Sequence, residues 1–215
     1  VSDLPDIIYV VRSGDSNPSL RFSLRSLANM PHRQVIVAGY CPSWVRNVAK
    51  VPVRRQVDKF TSIENNLIAA LTLSGLSERV VYFNDDFYVM EPIDEVPVMN
   101  GGPSSTYHPV DKMRLRFRNT LKVLGMDDPL RYDGTHVPLP LDTYHARYHL
   151  SRLPDNVLWR TWYGNVAEIG GVTVQDVKSH DGRIIPGPFM SSSHRAINSL
   201  RQYLDDVLPK GGPYV

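Results

Sequence analysis

Cysteine is almost missing from this chain: Cys41 is the only one in 215 residues. That excludes an internal disulfide and any cysteine-rich metal site. No apolar run approaches the ~18 residues needed to cross a bilayer, and the first residues carry no signal-peptide pattern. A membrane partner is therefore not expected, and the expected location is cytoplasmic. The chain begins with Val rather than Met, which is compatible with removal of an upstream segment. An excess of one charge is also lacking. Lys and Arg number 24 against 22 Asp and Glu, a net +2, so charge makes no case for nucleic acid as the main partner. Internal repeats and low-complexity tracts are absent. What remains is an ordinary globular composition, 42% hydrophobic and 21% charged. Its 17 prolines and 14 glycines cluster between the apolar runs, as in a loop-rich chain built around a cleft.

The most informative stretch is Arg79-Val80-Val81-Tyr82-Phe83-Asn84-Asp85-Asp86-Phe87-Tyr88-Val89. It starts as a buried strand, breaks at Asn84-Asp85-Asp86, and resumes as an apolar run. Two adjacent carboxylates in such a context repel each other and lose hydration. A divalent cation reverses the balance, because it takes hard oxygen ligands and neutralises the pair. The end of a central strand is also where open α/β sheets place ligands. A solvated acidic turn is the plain alternative.

Around this stretch the chain alternates strands and helices. Residues 6–11 read as a buried strand, and Asn17-Pro18 as an N-cap and first helical residue. Residues 34–38 read as a second strand and 51–53 as a weaker third. Thr61-Ser62-Ile63-Glu64 reads as a capping box opening a helix to about residue 73, ended by Gly75. The fold class expected is α/β, an open and mostly parallel sheet flanked by helices. Residues 1–98 would form a ligand-binding α/β half. Residues 99–215 would form an acceptor-side elaboration of the same domain, with helices at 111–124, 141–150, 156–168 and from Ser192 or Ser193 to 208.

Several smaller groups invite a chemical reading beside a plain one. Gly14 lets backbone amides approach a ligand, and Asp15 suits a ribose or a base edge, although an ordinary turn would use the same residues. Arg21 and Arg25 share a helical stripe and could grip phosphate, or simply be solvated. His136, in the irregular Tyr132-Asp133-Gly134-Thr135-His136-Val137-Pro138, suits a general base for a hydroxyl, or a backbone-bonded loop histidine. Arg160-Thr161-Trp162-Tyr163-Gly164-Asn165 combines a cation, aromatics and an amide, a set that suits a sugar but also a plain core. Asp176, Lys178, His180 and Asp181 form a polar cluster before Gly182, from which His180 (or His194) could supply a further metal ligand.

Asp6-Ile7-Ile8-Tyr9-Val10-Val11-Arg12-Ser13-Gly14-Asp15 resembles the first block of the Stealth family of hexose-1-phosphate transferases. Leu20 to Leu27, Phe60 to Glu64 and Val81 to Phe87 resemble its second block, in order. Thr135-His136-Val137-Pro138 is similar to the third block, and Phe189-Met190-Ser191-Ser192-Ser193-His194 to the fourth. The chain also resembles small glycosyltransferase-like proteins of actinobacterial phages, in residues 160–165, Asp176-Val177-Lys178 and the Phe-x-Ser stretch. That second likeness would make the expected location a bacterial host cytoplasm. Both imply a nucleotide-diphospho-sugar transferase fold of the glycosyltransferase A type with an acidic metal motif.

The combined expectation is a metal-dependent glycosyltransferase using Mn²⁺ or Mg²⁺. Its donor is a nucleotide-diphosphate sugar and its acceptor a protein or polysaccharide, with modified DNA a lesser option. Alternatives are hexose-1-phosphate transfer and a non-catalytic carbohydrate- or protein-binding module. The expected metal ligands are Asp86, Asp85 and His180. The expected catalytic groups are His136, Asp142 and Asp85. Donor binding is expected from Val11, Arg12, Gly14, Asp15, Arg21, Arg25, Asn65, Asn84, Asp85, Arg160 and Asn165.

Overall fold

The computed structural model describes residues 4–12, 16–52 and 58–215. Gly14, Asp15 and Val53 lie outside the described residues. The apolar run of β1 (Asp6–Val11) is buried at all six positions, as the middle of a sheet covered on both faces requires. Beside it run β2 (Val35–Gly39) and β4 (Arg79–Asn84), both parallel to it. Outside β2 lies β3 (Ala49–Pro52), also parallel. Outside β4 lies β7 (Leu139–Asp142), antiparallel, giving the order β3-β2-β1-β4-β7. The chain is thus α/β with a mostly parallel central sheet. Register brings Val10 beside Asn84 and Val11 beside Gly39, so three strands end along one edge. Gly39 has φ +102, and a Cβ there would lie 2.4 Å from the Val11 carbonyl oxygen, so only glycine lets β1 and β2 close at this edge.

Helix α1 (Pro18–Ser26) begins where expected: Asn17 is the N-cap, its side chain accepting from the Leu20 amide at 3.1 Å, with Pro18 first. Helix α2 (Lys59–Leu71) packs on β1, β2 and β3. It starts two residues before the capping box read at Thr61. Asp58 is the cap, accepting from the amides of Phe60 (2.8 Å) and Thr61 (3.1 Å), and Glu64 turns away to Arg116 at 3.0 Å. A ready carboxylate ahead of Thr61 takes the orphan amides first.

After Asn84 the chain leaves the central sheet. Asp85 and Asp86 form a turn, and β5 (Phe87–Val89) belongs to a second sheet of order β5-β10-β9, with β9 (Lys178–Ser179) and β10 (Phe189–Ser192). A two-stranded ladder joins β6 (Met99–Asn100) to β8 (Val172–Thr173). The remaining helices are α3 (Asp111–Leu124), α4 (Thr143–Leu150), α5 (Trp159–Val166) and α6 (Ile197–Val207). Residues 139–142 are therefore strand, where the helix read at 141–150 overlapped them; α4 begins only after Asp142 caps it. The last helix starts at Ile197, and Ser193 caps the turn before it, accepting from the Ala196 amide at 3.1 Å.

One apolar core surrounds the central sheet, and a second lies under the other sheet, built from Phe22, Tyr88, Met190, Ile197, Leu200 and Leu204. Each large side chain so buried contributes about 1.5–3 kcal/mol. Tyr9 and Phe83 (ring centroids 5.2 Å apart) and Phe87 carry the packing from one sheet towards the other. Both β7 and β10 come from residues 99–215 yet pair with β4 and β5, so the two halves of the chain are interwoven.

Candidate active site

The turn between the two sheets holds the acidic pair. Asp85 is 13% exposed; its Oδ2 accepts from Asn17 Nδ2 at 2.6 Å and faces Arg12 Nε at 3.4 Å. Asn17 thus caps α1 with its oxygen and holds Asp85 with its amide nitrogen. Burial pushes the Asp85 carboxyl above the ordinary carboxylate range and the neighbouring Asp86 charge adds to this, against the pull of Asn17, Arg12 and Lys59. Asp86 Oδ2 pairs with Lys178 Nζ at 2.7 Å, the two side chains being 18% and 16% exposed. Its other oxygen, Oδ1, is buried with no hydrogen-bond partner among the described residues. Asn84 Oδ1 accepts from the Tyr82 hydroxyl. Lys59, at the first turn of α2, lies within electrostatic reach of the same carboxylates. Desolvation lowers its ammonium and the Asp86 charge raises it.

The second centre is His136. Its φ is +52, an uncommon backbone state for a residue with a side chain, two positions after Gly134 at φ +76. Its Nδ1 donates to Asp176 Oδ1 at 2.7 Å, which leaves Nε2 as the acceptor in the neutral ring. Burial alone would raise the Asp176 carboxyl, but the bond and charge of His136 hold it below the ordinary range. The same Oδ1 accepts from the Lys178 amide at 2.9 Å, and the Val177 amide donates to Thr135 O at 3.2 Å. The three residues Asp176-Val177-Lys178 therefore bind the histidine at one end and Asp86 at the other.

Other expected site residues fall elsewhere. Asp142 caps α4, accepting from the His145 amide at 2.7 Å, and pairs with Arg79 at the far end of β4. That is roughly 16 Å of strand from the acidic turn, so the catalytic role read for it does not hold. Arg25 is buried against the end of α6, bonded to Asp205 at 2.6 Å and to the carbonyls of Leu208 and Pro209, so the phosphate role read for it is corrected to helix anchoring. Asn165 uses both amide donors, on Leu130 O and Thr161 O, each at 2.7 Å, its oxygen accepts from the Leu130 amide, and the side chain is buried, which argues against the sugar contact read for it. Arg160 is buried behind the turn, between the Tyr82 and Phe87 rings at 5.9 Å, with Nη2 on Val137 O. Burial lowers its guanidinium, and the sugar contact read for it is closed off from solvent. His180 is exposed, and no cluster of three or more His, Cys, Asp or Glu side chains forms a metal cage among the described residues. The three-ligand set with His180 is not assembled.

Val11 ends β1 at the site edge, Asn65 is half-buried on α2, and Arg21 lies over the Trp44 ring at 4.4 Å. Asn17, Arg21, Arg25, Trp44, Arg201 and Asp205 line a cavity of about 240 Å³ along α1. A larger hollow of about 580 Å³ lies among Leu4, Arg79, Asp94 and Pro140, at the opposite end of the strands and away from the carboxylate pair. Asn17, Lys59, Asp176 and Lys178 were not expected in the site. Asp176 and Lys178 stood out as part of a polar cluster, but nothing local in the sequence tied them to Asp86 or His136.

No family model matches the sequence, and no curated protein sequence matches it. Among solved structures, an active-site mutant of LgtC is similar over 96% of this chain and 97% of its own, with 13% identity and a TM-score of 0.49. The galactosyltransferase LgtC in complex with donor and acceptor sugar analogs covers the same shares, at 14% identity and a TM-score of 0.48. The 4-diphosphocytidyl-2C-methyl-D-erythritol synthase from Anaerococcus prevotii is similar over 94% of this chain and 97% of its own, at 10% identity and 0.43. At such identities the likeness transfers neither residue roles nor activity.

Proposed function

We propose that the protein is a divalent-metal-dependent glycosyltransferase of the glycosyltransferase A type, moving a sugar from a nucleotide-diphosphate sugar to an acceptor hydroxyl. One observation carries the reading. A strained histidine and an under-satisfied carboxylate, at the ligand edge of a parallel sheet, are fastened together by residues 176–178.

The donor set suits Mg²⁺ or Mn²⁺. Among the described residues Asp86 has a buried oxygen without a partner, Asp85 lies beside it, and such ions are commonly held by one or two carboxylates with phosphate oxygens and water completing the shell. When bound, the cation supplies positive charge against a departing diphosphate. Arg12, Lys59 and Lys178 add charge on the same side, and Asn17 keeps Asp85 in place. His136 Nε2 takes the proton of the acceptor hydroxyl as that oxygen bonds to the anomeric carbon and the bond to the diphosphate breaks. Asp176 fixes the ring's tautomer and stabilises the imidazolium that forms. Val11, Asn84 and Arg21, with Gly14 and Asp15, remain candidates for the nucleotide side, and a protein or polysaccharide for the acceptor.

Incubation with a panel of nucleotide sugars, with and without Mn²⁺, tests this. Release of a nucleoside diphosphate supports glycosyl transfer. Release of a monophosphate would assign hexose-1-phosphate transfer, and no turnover with any donor would reduce the fold to a binding module.

A further inference from the structure

We propose that Lys178 is an exchangeable counter-ion: its ammonium holds Asp86 while no divalent cation is bound, then yields Asp86 to the cation and turns to the diphosphate. The inference rests on the metal-dependent reading above.

The two carboxylates of the turn are held in different ways. Asp85 is fixed by a neutral amide from Asn17, with the exposed Arg12 at a longer 3.4 Å. Among the described residues Asp86 is held by Lys178 through one oxygen, while its other oxygen is buried without a hydrogen-bond partner. A half-satisfied buried carboxylate is poorly suited to a structural salt bridge, whose remaining lone pairs would be filled. It is well suited to a site that must take a cation. Lysine is the apt stand-in, being a point charge on a flexible stem, whereas an arginine fork would lock both oxygens. The backbone of Lys178 cannot follow its side chain. Its amide is tied to Asp176 at 2.9 Å, and the residue pairs with Ser191 across β9 and β10. Exchange thus moves only the stem and leaves the His136–Asp176 pair undisturbed.

The test is Mn²⁺ titration of the donor-free full chain, with free Mn²⁺ read by electron paramagnetic resonance. Lys178→Met removes the competitor and should tighten Mn²⁺ binding about tenfold, equivalent to about 1.4 kcal/mol. It should also weaken nucleoside diphosphate binding at saturating Mn²⁺. Unchanged or weaker Mn²⁺ affinity in K178M overturns the proposal. A measurement on the unmodified sequence does not depend on how the variant folds. Acylation of Lys178, followed by mass spectrometry, should rise on adding Mg²⁺, and constant labelling overturns the exchange. An Asp86→Asn arm separates the two levels. If Mn²⁺ binding ignores that substitution, the metal reading fails and takes the inference with it. If D86N abolishes binding while K178M leaves it unchanged, the metal reading stands and only the exchange falls.

Discussion

Asp6 and Asp86 stand at opposite ends of neighbouring strands, and both carboxylates are withdrawn from water, but their surroundings differ in kind. Asp6 opens β1 fully buried, and its two oxygens accept from Arg33 Nε at 2.7 Å, Arg33 Nη2, Gln34 Nε2 at 3.1 Å and the Ser77 amide at 2.9 Å. These bonds pin β1 to the segments entering β2 and β4. Among the described residues Asp86 has one lysine, a like-charged neighbour and a buried oxygen without a partner. Completed hydrogen bonding marks a group that serves the fold; an incomplete set at the ligand edge of the sheet marks one kept ready for something else.

The sharpest way to break that contrast is at the histidine tied to the incomplete end. His136→Ala should lower turnover by roughly 10²–10⁴, the range of a general base, while donor affinity and melting temperature stay near those of the parent. Steady-state rates beside calorimetric donor binding check it; loss of donor binding instead would place His136 on the wrong side of the cleft. Asp86→Asn should follow, with turnover reduced about 10²–10³ and Mn²⁺-dependent nucleotide binding lost, yet with a thermal melt close to the parent's.

Asp6→Asn should behave in the reverse way, losing about 1.5–3 kcal/mol of stability with nucleotide binding unchanged, as denaturant titration would report. Its pH dependence has a definite sign. Burial alone would raise the Asp6 carboxyl, but the bonds from Arg33, Ser77 and Gln34 hold it below the ordinary 3.8. Its stabilisation is therefore fully present above that value and drains away as pH falls through the lower folded value. Melts taken from pH 6 downwards should lose slope in the Asn variant below about pH 4. The smallest effect belongs to Arg25→Ala, expected to cost roughly 1–2 kcal/mol of stability through the lost anchoring of α6, with no change in donor affinity. Weaker donor binding there would restore the phosphate role that its burial argues against.

The elements that were plain from sequence are those whose cause is local. The β1 run, the Asn17-Pro18 cap and the 14-residue α3 need only nearby residues to be recognised. β7 was missed because Leu139-Pro140-Leu141-Asp142 is short and proline-bearing, and gains its partners only from β4. β10 was missed because Phe189-Met190-Ser191-Ser192 reads as a polar linker until β5 and β9 flank it. The site divides in the same way. Adjacent aspartates inside an apolar run are visible in any reading, but the partnership of Asn17 with Asp85 spans 68 positions and that of Lys178 with Asp86 spans 92. Arg25 misled because a helical stripe of arginines looks the same whether it meets a phosphate or the carbonyls ending another helix.

The passage of the chain from β4 to β5 has a consequence for hydrogen exchange. Asp85 and Asp86 are the direct covalent link between β4 of the central sheet and β5, whose Phe87 and Val89 pack into the main core while its Tyr88 packs into the second. Anything bound at this turn grips the seam between them. By mass action, such a ligand protects every opening that must release it, by RT ln(1 + [L]/Kd). The amides of Tyr88 and Met190, inside the second sheet and remote from solvent, should then exchange more slowly with a nucleotide present, while those of α4, at the far end of the strands, keep their pace. Occupancy of the turn would then tie the opening of the second core more closely to that of the first.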